Sequence, residues 1–223
     1  MSSAHIYLIK RLLLDLLYPN RCGLCGGSIP FNEFFCNTCI KLFSPAPKNV
    51  SVPYADLFSA YTIYDSFGKR LVLRLKNKSD GYALSGAAYL ICKSITADFG
   101  EKLKKTDFIT YIPMRKNDLR KRGYNQCRII AKELSYLIDK PCRAVLVKTR
   151  DNLPQKYLTA AERRENVRDV FACSKPAGVK GKTILLIDDV STTGSTISEA
   201  ARVLKEAGAE RVFVGVLAKT VIR

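Results

Sequence analysis

Leu185-Leu186-Ile187-Asp188-Asp189-Val190-Ser191-Thr192-Thr193-Gly194-Ser195-Thr196 decides the reading of this chain. Thr183 to Ile187 is a short apolar run and reads as a buried strand. It runs directly into two adjacent carboxylates, then into a turn of hydroxyls with one glycine. Ile197, Ala200, Ala201 and Leu204 follow on one helical face, which Gly208 closes. Ligands of open α/β sheets bind at the carboxyl ends of the strands. Paired carboxylates placed there can hold vicinal sugar hydroxyls or a hydrated cation. A glycine-bearing turn that opens a helix offers N–H groups and the positive dipole end to phosphate. Carboxylates first and phosphate cradle second is the order of a ribose 5-phosphate. The bland alternative is an ordinary strand–helix turn capped by Ser or Thr. The spacing is not that of a P-loop.

Working outward, the same alternation repeats. Phe108 to Ile112 is a strand stopped by Pro113, and Ile129, Ile130, Leu134, Leu137 and Ile138 share a helix face that ends before Pro141. Ala144 to Val147 reads as a second strand, a long polar stretch runs from Thr149 to about Gly181, and Val212 to Leu217 is the last strand. This order argues for a parallel sheet covered by helices. Between Tyr54 and Lys105, Ala60 to Tyr64 reads weakly as a strand, and Phe67 to Lys76 and Ala83 to Phe99 as helices expected to cover one side of the cleft.

Eight cysteines form two groups. Cys22, Cys25, Cys36 and Cys39 make two C-x-x-C pairs separated by ten residues. Two such loops can close a tetrahedron of thiolates around one ion. Gly26 and Gly27 let the backbone turn back and offer N–H groups to the sulfurs. Zinc suits a closed four-thiolate set; an iron–sulfur cluster, disulfides and free thiols are the alternatives. The scattered Cys92, Cys127, Cys142 and Cys173 read as small buried hydrophobes. Ser44 to Pro53 holds three of the nine prolines and reads as an extended connector. The expected division is therefore residues 1–50, an N-terminal helix with the four-Cys module, and residues 51–223, the α/β domain.

Composition narrows the chemistry. The single histidine is His5, which excludes Ser-His-Asp triads, Cys-His dyads and H-E-x-x-H metal sites. The 37 basic residues against 20 acidic give a net charge of +17, the footprint of a polyanion partner. Ile6 to Leu17 carries Lys10, Arg11 and Asp15, too short and too charged to span a membrane. It reads as an amphipathic helix that packs on the next domain or, alternatively, attaches to a membrane surface. The expected location is cytoplasmic, with peripheral attachment at the inner membrane as the variant.

The Leu185 to Ile197 segment resembles the phosphoribosyl-pyrophosphate signature of type I phosphoribosyltransferases. The whole chain resembles the competence protein F (ComF) family, which joins a four-Cys zinc module to a phosphoribosyltransferase-like domain. Tyr64 to Lys76, Ile112 to Gln126 and Gln155 to Val167 also look like that family's patterns. The resemblance implies that Asp188 and Asp189 hold the ribose diol and that Ser191, Thr192, Thr193, Gly194, Ser195 and Thr196 hold the 5-phosphate. Arg115 and Lys116 would meet pyrophosphate with Mg2+, and Gln155, Arg163 and Asn166 would belong to a mobile loop over the site. Thr192 stands where enzymes of 6-oxopurines carry an aspartate base. Thr is a poor base at neutral pH, so a hypoxanthine-type activity is not expected.

Three functions from different classes stay open. One is the role the resemblance implies, an accessory protein of DNA uptake in natural transformation, working beside the uptake machinery on the cytoplasmic side. It would bind single-stranded DNA through Arg120, Lys121 and Arg122, with Tyr124 placed to stack a base. Another is a working phosphoribosyltransferase on an unidentified acceptor. The last is a regulator that senses the sugar phosphate without turnover.

Overall fold

The computed structural model describes residues 18–76, 80–150 and 168–221, together with Leu12. Gln155, Arg163 and Asn166 lie outside the described residues, as does the Ile6 to Leu17 segment apart from Leu12.

Four parallel strands form the central sheet in the order β1-β6-β5-β2. They are β1 (Leu57–Ile63), β2 (Phe108–Tyr111), β5 (Thr183–Ser191) and β6 (Arg211–Lys219). Successive residues of β5 face opposite sides of the sheet, and the core divides accordingly. Leu185 and Ile187 join one buried cluster, Ile184 and Leu186 the other. In chain order the α-helices among the described residues are α1 (Asn37–Ile40), α2 (Ser66–Arg74), α3 (Gly81–Phe99), α4 (Lys116–Arg122), α5 (Gln126–Leu137) and α6 (Ser195–Glu206), and α2, α3 and α5 cover the first cluster. The second is covered by α6 (Ser195–Glu206) and by a two-stranded antiparallel ribbon, β3 (Leu146–Lys148) with β4 (Phe171–Cys173).

Local sequence accounts for the helix starts. Asp65 accepts the N–H groups of Phe67 and Gly68 at the head of α2, and Asp80 accepts that of Ala83 at the head of α3. Asp80 also pairs with Arg74, whose other nitrogen donates to the Leu24 carbonyl at 2.6 Å. That ties the four-Cys segment to both helices.

One sequence expectation needs correction. The run Ala144 to Val147 was expected as a strand of the main sheet. The chain meets the sheet just before that run, where Cys142 bridges Ile109 at the open edge of β2: the Ile109 N–H donates to the Pro141 carbonyl and the Arg143 N–H to the Ile109 carbonyl, each at 2.8 Å. The chain then peels away to pair with β4, which lies inside the stretch read as polar throughout. The fourth place in the sheet is taken by β1, whose weak alternation understated it. The proline-rich connector packs against the domain. Pro45 bridges Thr62, Thr62 Oγ1 donates to the Ser44 carbonyl at 2.6 Å, and Ala46 and Val52 are buried in the second cluster.

The four-Cys segment shares the first core. Cys22, Leu24, Phe35, Cys39 and Phe43 belong to the same buried cluster as α3 and α5. Phe35 lies over Gly86 of α3, where an added Cβ would stand 2.7 Å from the ring. The helix offers a bare backbone there because the ring occupies the side-chain position. Truncating such a buried ring costs roughly 3–5 kcal/mol, so this contact docks the segment firmly.

Candidate functional site

The site forms where β5 hands over to α6. Gly194 precedes the helix with φ 81°, a left-handed conformation that glycine adopts without strain. The Val52 methyl groups pack 3.7 Å from where its Cβ would be. Thr193 Oγ1 and Ser195 Oγ are 2.7 Å apart. Beneath the turn, Lys219 donates from Nζ to the carbonyls of Thr192 and Thr220. Lys219 is half-buried, and that burial lowers its pKa. Its amino group, held on those two carbonyls, sits under the turn, and an anion bound above would favour its charged form. Among the described residues, the buried hydroxyls of Ser191 and Thr220 meet no hydrogen-bond partner.

The two carboxylates are each gripped by the start of α5. Asn125 caps that helix, accepting from the N–H groups of Cys127 and Arg128 and donating to the Ile112 carbonyl at 3.0 Å. Gln126 Nε2 donates to Asp189 Oδ2 at 2.8 Å, while its Oε1 accepts from Arg122 Nη1 at 2.6 Å. Cys127 Sγ lies 3.4 Å from Asp188 Oδ1, which also accepts the Asp189 N–H at 2.9 Å. Burial, and then the charge of Asp189, hold the Asp188 carboxyl well above the usual carboxylate range. Burial and both aspartates push the Cys127 thiol up as well, so it stays a donor.

A cleft of about 270 Å³ opens over this pair. Arg115 and the Pro113-Met114 turn after β2 line it with Lys76, Arg122 and Lys148. These four cations face Asp118, Asp188 and Asp189, a balance suited to a polyanion that brings its own divalent cation. A second cavity, about 490 Å³, is bordered by Thr193, Gly194 and Ser195 with Tyr54, Arg168 and Arg202.

The structure thus brings Arg115, Asp188 and Asp189 together and places the Ser191 to Thr196 turn beside them. Lys116 is exposed and does not line the cleft. Arg122, expected on a DNA surface, lines the cleft instead. Tyr124 is half-buried against the first core and donates its hydroxyl to the Leu75 carbonyl at 2.6 Å. Arg120 and Lys121, on α4 (Lys116–Arg122), are exposed. Sequence reasoning missed Lys76, Lys148, Gln126, Cys127 and Lys219. The last of these was within reach, because Lys219 ends the strand read at Val212 to Leu217, on the edge where ligands sit.

The second cluster of chemical groups is the four cysteines, whose sulfurs all lie within 4.8 Å of one another and could hold a metal ion. Backbone N–H groups point at them: Gly27 to Cys25, Cys36 to Cys22 and Cys39 to Cys36, each at 3.4 Å. Burial opposes charge on Cys22, but the N–H groups of Cys25, Cys36 and Leu24 outweigh it and bring that thiol down to about 6. Burial and the neighbouring sulfurs push Cys39 up. Four sulfurs this close cannot all ionise unless a cation joins them.

Residues 121–221 match the phosphoribosyl transferase domain family. The chain is similar to competence protein F of Haemophilus influenzae, 27% identical over 202 residues, which covers 89% of this chain and 84% of that one. It is likewise similar to DNA utilization protein YhgH of Escherichia coli O157:H7, 28% identical over 201 residues with the same coverage of 89% and 84%. Competence protein ComFC of Bacillus subtilis is 28% identical over 158 residues, 67% of this chain and 58% of that one. Among solved structures, the allosteric regulatory enzyme of purine biosynthesis aligns with 65% of this chain and 30% of its own, at 21% identity and a TM-score of 0.43. The expected fold class holds: a parallel-sheet domain of the phosphoribosyltransferase type with four cysteines clustered near the N-terminus. Among the described residues no helix is long and apolar enough to cross a membrane.

The raised pKa of Asp188 has a consequence for stability. As pH rises past about 4, the unfolded carboxyl releases a proton that the folded one keeps. Stability then falls by up to about 1.4 kcal/mol per pH unit until Asp188 ionises. Asp188→Asn keeps an acceptor for Cys127 and the Asp189 N–H but carries no charge. In urea titrations between pH 4 and 7, the variant is expected to gain on the wild type with rising pH. A difference that stays flat contradicts this.

Proposed function

We propose that this chain, a homologue of competence protein F with a phosphoribosyl transferase domain, is an accessory protein of DNA uptake that binds phosphoribosyl pyrophosphate with Mg2+ and single-stranded DNA. The observation that carries the ligand half is the order of groups at the end of β5. Asp188 and Asp189 pass directly into a hydroxyl-rich, glycine-bearing turn at the head of α6. The relatives' names support the DNA half, as does the +17 charge.

The roles follow from placement. Asp188 and Asp189 accept from the ribose hydroxyls. The N–H groups and hydroxyls of Ser191 to Thr196 take the 5-phosphate, over the charge of Lys219. Arg115, Arg122, Lys76 and Lys148 surround the pyrophosphate end, whose Mg2+ offsets the remaining charge; Lys116 acts from the rim. Arg120 and Lys121 remain DNA candidates on α4. Thr192 offers no general base, and its carbonyl is taken by Lys219. This favours binding without hypoxanthine-type turnover. Zinc fits the four-Cys cluster, because four sulfurs within 4.8 Å of one another, met by backbone N–H donors, are the donor set that a four-thiolate zinc site uses. The proposed location is the cytoplasm.

Calorimetry with phosphoribosyl pyrophosphate and Mg2+ tests the ligand half. Asp189→Asn replaces an acceptor by an amide where a hydrogen bond to a charged group is worth roughly 1.5–3 kcal/mol, about ten- to a hundredfold in affinity. Asp188→Asn is expected to weaken binding as well, because it takes one acceptor oxygen from the ribose hydroxyls. Unchanged affinity in the double variant means that the turn is only a turn. Elemental analysis of gently purified protein is expected to give one zinc per chain. Iron, or no metal, contradicts the zinc assignment.

A further inference from the structure

We infer that the outer face of α5 is the track on which single-stranded DNA lies, with Arg128 and Lys132 on its phosphates and Tyr136 beneath a base. The inference rests on the DNA-binding half of the proposed function and assigns it a surface that Arg120 to Arg122 alone do not supply.

Arg128, Lys132 and Tyr136 follow one another at four-residue spacing, so they form a line along the helix. All three are exposed, whereas Cys127, Ile130, Ala131 and Leu134 on the opposite side are buried. The single acid of α5, Glu133, is turned toward α3, where Ser85 Oγ donates to it at 3.4 Å. The line therefore carries no negative side chain. Past the end of the helix, Lys140 continues it and fixes its Nζ on the Lys104 carbonyl at 3.0 Å, beside exposed Lys102, Lys104 and Lys105. The acids at that end are Asp139, Glu101, which pairs with Lys104 at 2.7 Å, and Asp107, which pairs with Lys182 at 3.1 Å. At the other end, α4 brings exposed Arg120 and Lys121 just ahead of Gln126.

The arrangement works against the helix itself. Like charges one turn apart disfavour it, and Arg128 stands in the first turn, at the positive end of the dipole. A solvated helix face normally alternates sign to avoid this. A polyanion lying along the face removes both penalties. Four residues rise about 6 Å, so Arg128 and Tyr136 stand about 12 Å apart along the face, with Lys132 midway. An exposed tyrosine between two lysines provides a π-face that accepts any unpaired base.

The test uses the full chain and a fluorescent oligothymidylate, read by anisotropy across a salt series. Arg128→Glu with Lys132→Glu is expected to weaken binding at least about tenfold at low salt. The slope of log affinity against log salt should flatten by about 1.4, from two contacts of about 0.7 each. Tyr136→Ala should cost about tenfold on the single strand and leave binding to a duplex of equal length unchanged. Reversing two charges elsewhere, Lys175→Glu with Lys180→Glu, should stay within about twofold. If that control loses as much as the α5 variant, the attraction is diffuse and the track is overturned. If the wild type binds and the α5 variant is unchanged, the track is overturned while the DNA reading stands. A wild type that does not bind at low salt overturns both. Should the Glu variant melt early, Arg128→Gln with Lys132→Gln gives the same readout without reversed charge.

Discussion

The buried carboxyl of Asp188 is the constraint around which the rest of the molecule is arranged. A carboxyl at the end of β5 with 7% exposure is costly unless its oxygens are met by donors. Two donors answer it, the Asp189 N–H and the Cys127 thiol. Cys127 is in place only because Asn125 starts α5 where it does, and Asn125 is held by the carbonyl of Ile112 at the end of β2. The turn after β2, the head of α5 and the end of β5 are thus one hydrogen-bonded assembly. A shift in any of them changes the orientation of the carboxylate pair.

The same logic links the four-Cys segment to the cleft. Phe35 seats on α3, and Arg74 joins α2 and α3 to the Leu24 carbonyl. The end of α2 then delivers Lys76 to the cleft, and the Leu75 carbonyl receives Tyr124 just before Asn125. A metal in the thiolate cluster would stabilise the base on which these contacts rest, at a distance from any ligand chemistry.

Legibility followed periodicity. The β5 segment and the faces of α5 and α6 were read from sequence because burial on one or both sides leaves a strong apolar signature. The two C-x-x-C pairs were legible because ligand geometry fixes their spacing. β1 was legible only weakly, as Ala60 to Tyr64, and the three-residue β4 was lost, because edge and ribbon strands bury little. Lys76 and Lys148 could not be assigned because their meeting at one cleft depends on tertiary placement. Gln126 and Cys127 were passed over for a subtler reason. An amide and a thiol look unremarkable in a sequence, and their meaning appears only once the helix start points them at charged oxygens. Tyr124 shows the reverse error, since an aromatic beside a basic run suggested stacking, yet its hydroxyl is anchored inside.

The central claim is that the carboxylate pair and the following turn act together as one sugar-phosphate site. Amide chemical shifts of the isotopically labelled chain, recorded during titration with phosphoribosyl pyrophosphate and Mg2+, test it most directly. The account predicts saturable shifts concentrated at Asp189, at Thr193 to Thr196 and at Gln126 and Cys127, the residues that grip the pair. Shifts that are absent, or that fall on the outer face of α5 while the β5–α6 turn stays unmoved, would contradict it.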